Sequence, residues 1–185
     1  MDTRQQIIAL ADRLTRTQGP NGWSYADIAK GVGIRKASVH HHFPAKADLL
    51  RAVIDLHRRL AETFTDLPGD GAAVLRLFMR GYDAQFDGES LCACGSLTAD
   101  LMVLPPAAQA DAIAYVRGLT TWLEGVIERG QLEETISRAQ TPEATAALIL
   151  GALQGGLQRA RALGDRGQLQ TVIAFLETSL LESPC

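Results

Sequence analysis

Apolar positions recur at spacings of three and four along most of this chain, the period of amphipathic helices with one buried face. Ile7, Ile8, Ala11 and Leu14 form such a stripe in a first helix, which the Gly19-Pro20-Asn21-Gly22 cluster ends. Ser24, with Asp27 three residues on, supplies a cap for a second helix carrying Ile28, Ala29 and Val32 inward. Gly33 then permits a sharp turn, and Val39 pins a short third helix against its predecessor. Pro44 separates that helix from a fourth over about 45–64, and the stretch from Asp66 to Gly71 breaks the chain. Further helices are expected over 72–87, 93–103, 107–133, 142–163 and 168–181. The pattern predicts an all-α protein of about nine helices. Residues 1–46 form a three-helix head and 47–185 a larger helical body.

The segment Ser24–Leu50 holds one short helix proud of the surface. With Val39 inward, Arg35, Lys36, Ser38, His40 and His41 are left for the outer face. A cationic face on a short helix suits the major groove of DNA, where phosphates fix register and side chains near the helix start reach base edges. Charge is divided in the same sense. Residues 1–60 carry ten Lys or Arg against five Asp or Glu, and residues 61–185 carry eight against sixteen, a split hidden in the whole-chain charge of −3. A basic head is steered to DNA while an acidic body limits nonspecific wrapping.

Residues Ile28, Ala29, Gly33, Ile34, Arg35, Val39, His40, His42, Phe43 and Lys46 follow the pattern I-A-x-x-x-G-V-S-x-x-x-L-Y-x-H-F with a lysine three positions later. This resembles the DNA-binding domain of the TetR family of transcriptional regulators, without a gap from Ile28 to Leu50. The resemblance implies that the third helix enters the major groove and that His40, His42 and Lys46 lie near the DNA backbone. Two positions depart from the pattern. Arg35 stands where a capping Ser or Thr is usual, which removes an N-cap oxygen, and His40 replaces a Tyr, exchanging a phenol for a titratable imidazole.

The last two expected helices read as an interface. Helix 142–163 has small residues, Gly151 and Gly155 among them, beside Leu148. Helix 168–181 presents Leu169, Val172, Ile173, Leu176 and Leu180 as one apolar face. The resemblance implies a homodimer through a four-helix bundle, which sets two reading helices on a palindromic operator. It also implies a cavity for a small-molecule effector in the body. Phe78, Tyr82 and Phe86 recur at four-residue spacing, and Met102, Tyr115 and Trp122 add large side chains, with Gln85, Thr98 and Thr121 as polar fixtures. The bland reading of the same stripes is ordinary core within one monomer. The run from Cys92 to Leu101 resembles a G-C-L-L-G-N-L-A-x-E-L signature of one branch of the family, which makes Cys92 a candidate redox or electrophile sensor beside the alternative of a packed thiol.

Three cysteines without repeated spacing give neither a disulfide framework nor a zinc site, and no apolar run reaches membrane-spanning length, so a cytoplasmic protein is expected. No HExxH, CxxC, GxSxG or phosphate-cradling motif is present, and His40, His41 and His42 fan around one helix rather than converging, so neither catalysis nor a metal or cofactor is expected. The competing class is a helical protein-interaction adaptor that keeps the head and binds a protein through its acidic body.

Overall fold

The computed structural model describes residues 2–181. Nine α-helices are present among them: α1 Thr3–Gln18, α2 Tyr25–Val32, α3 Lys36–His42, α4 Lys46–Glu62, α5 Gly71–Gln85, α6 Ala93–Ala99, α7 Pro106–Leu132, α8 Pro142–Leu163 and α9 Gly167–Leu180. The fold is all-α, as the periodicity predicts, and the expected helices begin and end within a few residues of the observed ones. The helix expected over 93–103 is shorter. It closes at Ala99 and a 3-10 turn follows over Leu101–Val103; Leu104, directly before Pro105, is extended, as a residue preceding proline prefers. The fourth helix likewise tightens into a 3-10 turn at Thr63–Asp66. No helix of the described residues is long and apolar enough to cross a membrane.

The described residues form two compact units. One comprises the chain up to Leu60 together with Cys92–Val116, and the other Ala61–Leu91 together with the chain from Arg117. The first unit holds α1, α2 and α3, most of α4, α6 and the start of α7. Asp2 and Gln5 close a reciprocal capping box on α1, with Asp2 Oδ1 accepting from Gln5 N at 2.7 Å. At α2 the Asp27 carboxylate takes both the Ser24 amide (2.8 Å) and the Ser24 hydroxyl (2.7 Å), and these bonds lower its pKa. Gly33 ends α2 in the left-handed region, φ 77° and ψ 32°, where a side chain would strain the turn into α3. Ile7, Ile28, Val39, Leu49 and Val53 are fully buried between these helices, each contributing about 1.5–3 kcal/mol.

Buried polar bonds then fix how α1, α2 and α6 meet. Trp23 Nε1 donates to Thr15 Oγ1 at 3.1 Å, and Ser96 of α6 donates its hydroxyl to the Thr15 carbonyl. His57 of α4 shares a hydrogen bond with the Asp12 carboxylate of α1, which also faces Arg16 at 3.7 Å. Arg51 of α4 pairs with Asp111 of α7 at 2.6 Å.

The second unit is a stack of helices with α8 against α9 and both against α5. Its helices meet through glycine: a Cβ on Gly71 would collide with the Gly130 backbone of α7, and one on Gly156 would press on Leu169 of α9. Leu75, Met79, Leu123, Ile127, Ile149, Leu153 and Leu169 fill the core. Arg166, at the start of α9, holds the Asp83 carboxylate of α5 at 2.7 Å, and the Ser137 amide donates to the Leu180 carbonyl at 2.8 Å.

Candidate nucleic-acid interface

The short helix α3 shows the division of faces that Val39 implies. Val39 and Phe43 are buried; Arg35, Lys36, His40 and His41 are exposed, and Ser38 and His42 partly so. The first turn lacks a side-chain cap at Arg35, and the Arg35 carbonyl accepts from Ser38 N at 2.9 Å. The far end is braced from α2: the Tyr25 hydroxyl donates to the Phe43 carbonyl at 2.8 Å. The Tyr25 ring meets the His40 ring edge-on with centroids 4.7 Å apart. Burial, aided by Asp48, pushes the Tyr25 phenol up to about 12. Arg4 of α1 lies over the Phe43 ring at 5.0 Å. A cationic helix is thereby held rigidly at the surface.

Lys46 is partly buried, with Nζ donating to the Trp23 carbonyl and lying 4.2 Å from the centre of the Trp23 ring. Burial lowers its pKa. Trp23 went unnoticed among the functional candidates of the sequence, although its position just before the Ser24 cap and five residues before the buried Ile28 is that of a hydrophobic staple. It joins Lys46 on one side to Thr15 on the other.

The residues expected around an effector divide. Phe78, Tyr82, Gln85, Phe86, Thr121 and Trp122 belong to the second unit, whereas Thr98, Met102 and Tyr115 belong to the first. Met102 is 85% exposed because a 3-10 turn rather than a helix carries it. Thr98 donates to the Cys94 carbonyl of its own helix at 2.8 Å, and Tyr115 is buried beside His57, with its phenol pKa raised by desolvation. Gln85 lies exposed near the end of α5 and Phe86 is buried. In the second unit Phe78 packs on Trp122 (5.1 Å between ring centres), on Tyr82 (5.3 Å) and on Phe64 (5.9 Å). An open cleft of about 250 Å³ lies beside this cluster, lined by Phe64, Thr65, Leu67, Val74, Thr121, Trp122, Gly125, Val126 and Arg129. Phe64 and Arg129 escaped the sequence reading; the i, i+3/i+4 spacing of Trp122, Val126 and Arg129 is the signal that places them on one helix face.

Cys92 caps α6, its Sγ accepting from Gly95 N at 3.1 Å, and Cys94 is buried. Neither is in a disulfide. Cys185 lies outside the described residues. The terminal apolar stripe also divides: Leu169, Ile173 and Leu176 are buried within the single chain, turned to the core by the α8–α9 packing. Gly151 is exposed, Leu148 is 56% exposed, and Gly155, Val172 and Leu180 are partly exposed. Phe175, adjacent to the expected stripe, is 69% exposed. Among the described residues no group of three or more His, Cys, Asp or Glu is placed to hold a metal ion.

A cationic helix presented by a glycine turn in the first unit, and a cleft in the second, are features of a helix-turn-helix DNA-binding regulator. The family model described as "Bacterial regulatory proteins, tetR family" matches residues 7–53. The HTH-type transcriptional regulator AcrR of Shigella flexneri is 34% identical over 80 residues, 40% of this chain and 37% of that protein. Among solved structures, a TetR-family transcriptional regulator from Agrobacterium tumefaciens superposes with a TM-score of 0.90 at 29% identity, covering 97% of both chains. A TetR transcriptional regulator from Legionella pneumophila gives 0.85 at 27% identity, covering 97% of this chain and 98% of that one. Residues 7–53 match the tetR-family model, and over nearly its whole length the chain has the fold of the TetR-family transcriptional regulators it resembles.

Proposed function

We propose that this regulator is a homodimeric repressor that binds a palindromic operator and is released by a small hydrophobic or electrophilic effector. Residues 1–46 read DNA, and 47–185 bind the effector and dimerise. The observation that carries the reading is the exposed cationic surface of α3 held by the Tyr25 and Phe43 contacts. Lys36 and Ser38 face base edges, Arg35 a base or a phosphate, and His40, His41, His42 and Lys46 position the helix on the backbone. A single short helix has little area with which to discriminate sites. A two-fold axis doubles it and demands recognition helices about 34–36 Å apart. An effector that favours another spacing weakens DNA binding, and by linkage binds less well when DNA is present.

Two entry points for the signal are supported by their surroundings: the aromatic cleft beside Trp122, and the Cys92 thiol at the start of α6. The test is selection of binding sites from random DNA with the full chain at moderate salt. Enrichment of an inverted repeat is expected; no enrichment by a folded protein sinks the reading. Challenging the selected complex with an electrophile, for the parent and for Cys92→Ser, then separates the two entry points: release lost only in the variant assigns that signal to the sulfur.

A further inference from the structure

We propose that the cleft of the second unit is a site for a small aryl-alkanoic acid, with its ring against Trp122 and Phe64 and its carboxylate on Arg129. This rests on the reading of the chain as an effector-controlled regulator and specifies the chemical class of the effector. The aromatic wall is braced rather than loose. Phe64 and Trp122 lie 5.3 Å apart between ring centres, and Phe78, buried behind them, contacts both. A planar ring therefore meets a preformed aromatic surface, the arrangement in which offset or edge contacts are favourable without reordering side chains.

Seven residues beyond Trp122 on the same helix stands Arg129, the one charged residue among those lining the cleft. Seven residues are about two helical turns, or roughly 10 Å. Both side chains line the same cleft, so one ligand can touch the ring wall and the guanidinium together. Between them Gly125 leaves the floor open, since a Cβ there would meet nothing within 4 Å. Arg129 is not saturated by its own neighbours. It donates to the Gly69 carbonyl at 3.2 Å and lies 3.7 Å from Glu133, whose other carboxylate oxygen accepts from the Gly71 amide at 2.7 Å. Five donors in a planar fork leave room for a carboxylate, which the guanidinium engages through two parallel bonds. An apolar wall, an open floor and one planar cation at its end select a flat apolar body with one anionic head.

The test measures binding of 3-phenylpropionate and of its neutral amide to the full-length protein by calorimetry, with thermal melts confirming the fold of each variant. The acid is expected to bind at least about tenfold more tightly than the amide, as a charge-assisted pair requires. Arg129→Gln should erase that preference while Arg129→Lys keeps part of it, and Gly125→Leu, which fills open space, should weaken acid and amide alike. Equal affinity for acid and amide, preference unchanged in Arg129→Gln, or no binding of the acid at millimolar concentration overturns the assignment. Operator release is read in parallel. Acid that binds as expected without releasing operator leaves the ligand class standing and sinks effector control through this cleft. Release by compounds indifferent to Gly125→Leu keeps effector control and removes this cleft from it.

Discussion

The two compact units are both helical and similar in size, yet they are held together by different chemistry. In the first, polar groups set the geometry: buried, Thr15 receives Trp23 and gives its carbonyl to Ser96, and Tyr25 reaches the Phe43 carbonyl; partly buried, His57 holds Asp12. Each such bond is directional, and leaving one partner unmet in the interior costs about 1–3 kcal/mol, so the arrangement tolerates little displacement. The second unit is stacked through leucines and close-approaching glycines and keeps an open cleft; Leu148, Leu163 and Phe175 are exposed on α8 and α9, as Met102 is in the first unit. Apolar contact is non-directional and permits sliding and filling. The unit that presents α3 is built for one geometry; the unit with the cleft is built to accept something further.

The sharpest way to break this contrast is to charge the exposed apolar surface of the second unit. Leu148→Glu combined with Phe175→Glu should leave the melting temperature of the single chain nearly unchanged, convert a dimer to a monomer in sedimentation, and reduce operator affinity by orders of magnitude, since one half-site contact alone remains. A variant that stays dimeric shows that these side chains serve no interface.

Within the first unit, Tyr25→Phe deletes the hydroxyl that the Phe43 carbonyl needs and should cost about 1–3 kcal/mol of folding stability in denaturant titration. The same bond carries a pH signature. The phenol ionises near 10 when unfolded and near 12 in the fold, so the neutral form is the one the fold favours. Its contribution is complete below about pH 10 and is lost as pH rises toward 12. Alkaline melting curves of the parent should fall across that window more steeply than those of Tyr25→Phe; parallel curves would show that the phenol is not held.

The smallest effect distinguishes two uses of Lys46. If its ammonium serves a phosphate, Lys46→Gln lowers the slope of log affinity against log salt by about one and weakens all sequences alike. If its whole use is the Trp23 carbonyl and ring, the salt slope is unchanged and the melting temperature alone falls.

Much of this molecule is legible in its sequence, and what is not has physical causes. Helix positions follow from a period that is a property of consecutive residues, and the turn at Gly33 from a backbone angle that glycine reaches without strain. The outward placement of Arg35, Lys36, His40 and His41 followed from Val39 facing in, because a helix of two turns has one buried side. The effector candidates fared differently: apolar side chains at helical spacing announce that a face is covered, not by what.

The amino-acid sequence by itself determined nine helices, the glycine turn and the cationic face of α3. Tertiary structure alone decided that Leu169, Ile173 and Leu176 are spent against the chain's own core while Phe175 stays out. It decided that Met102 is exposed, that Lys46 rests on Trp23, and that Phe64 and Trp122 share a wall with Arg129 at its end. Periodicity is local and is written in neighbouring residues. A partner is chosen by the packing of segments far apart in the chain, and that packing depends on volume and direction, which no single stripe encodes.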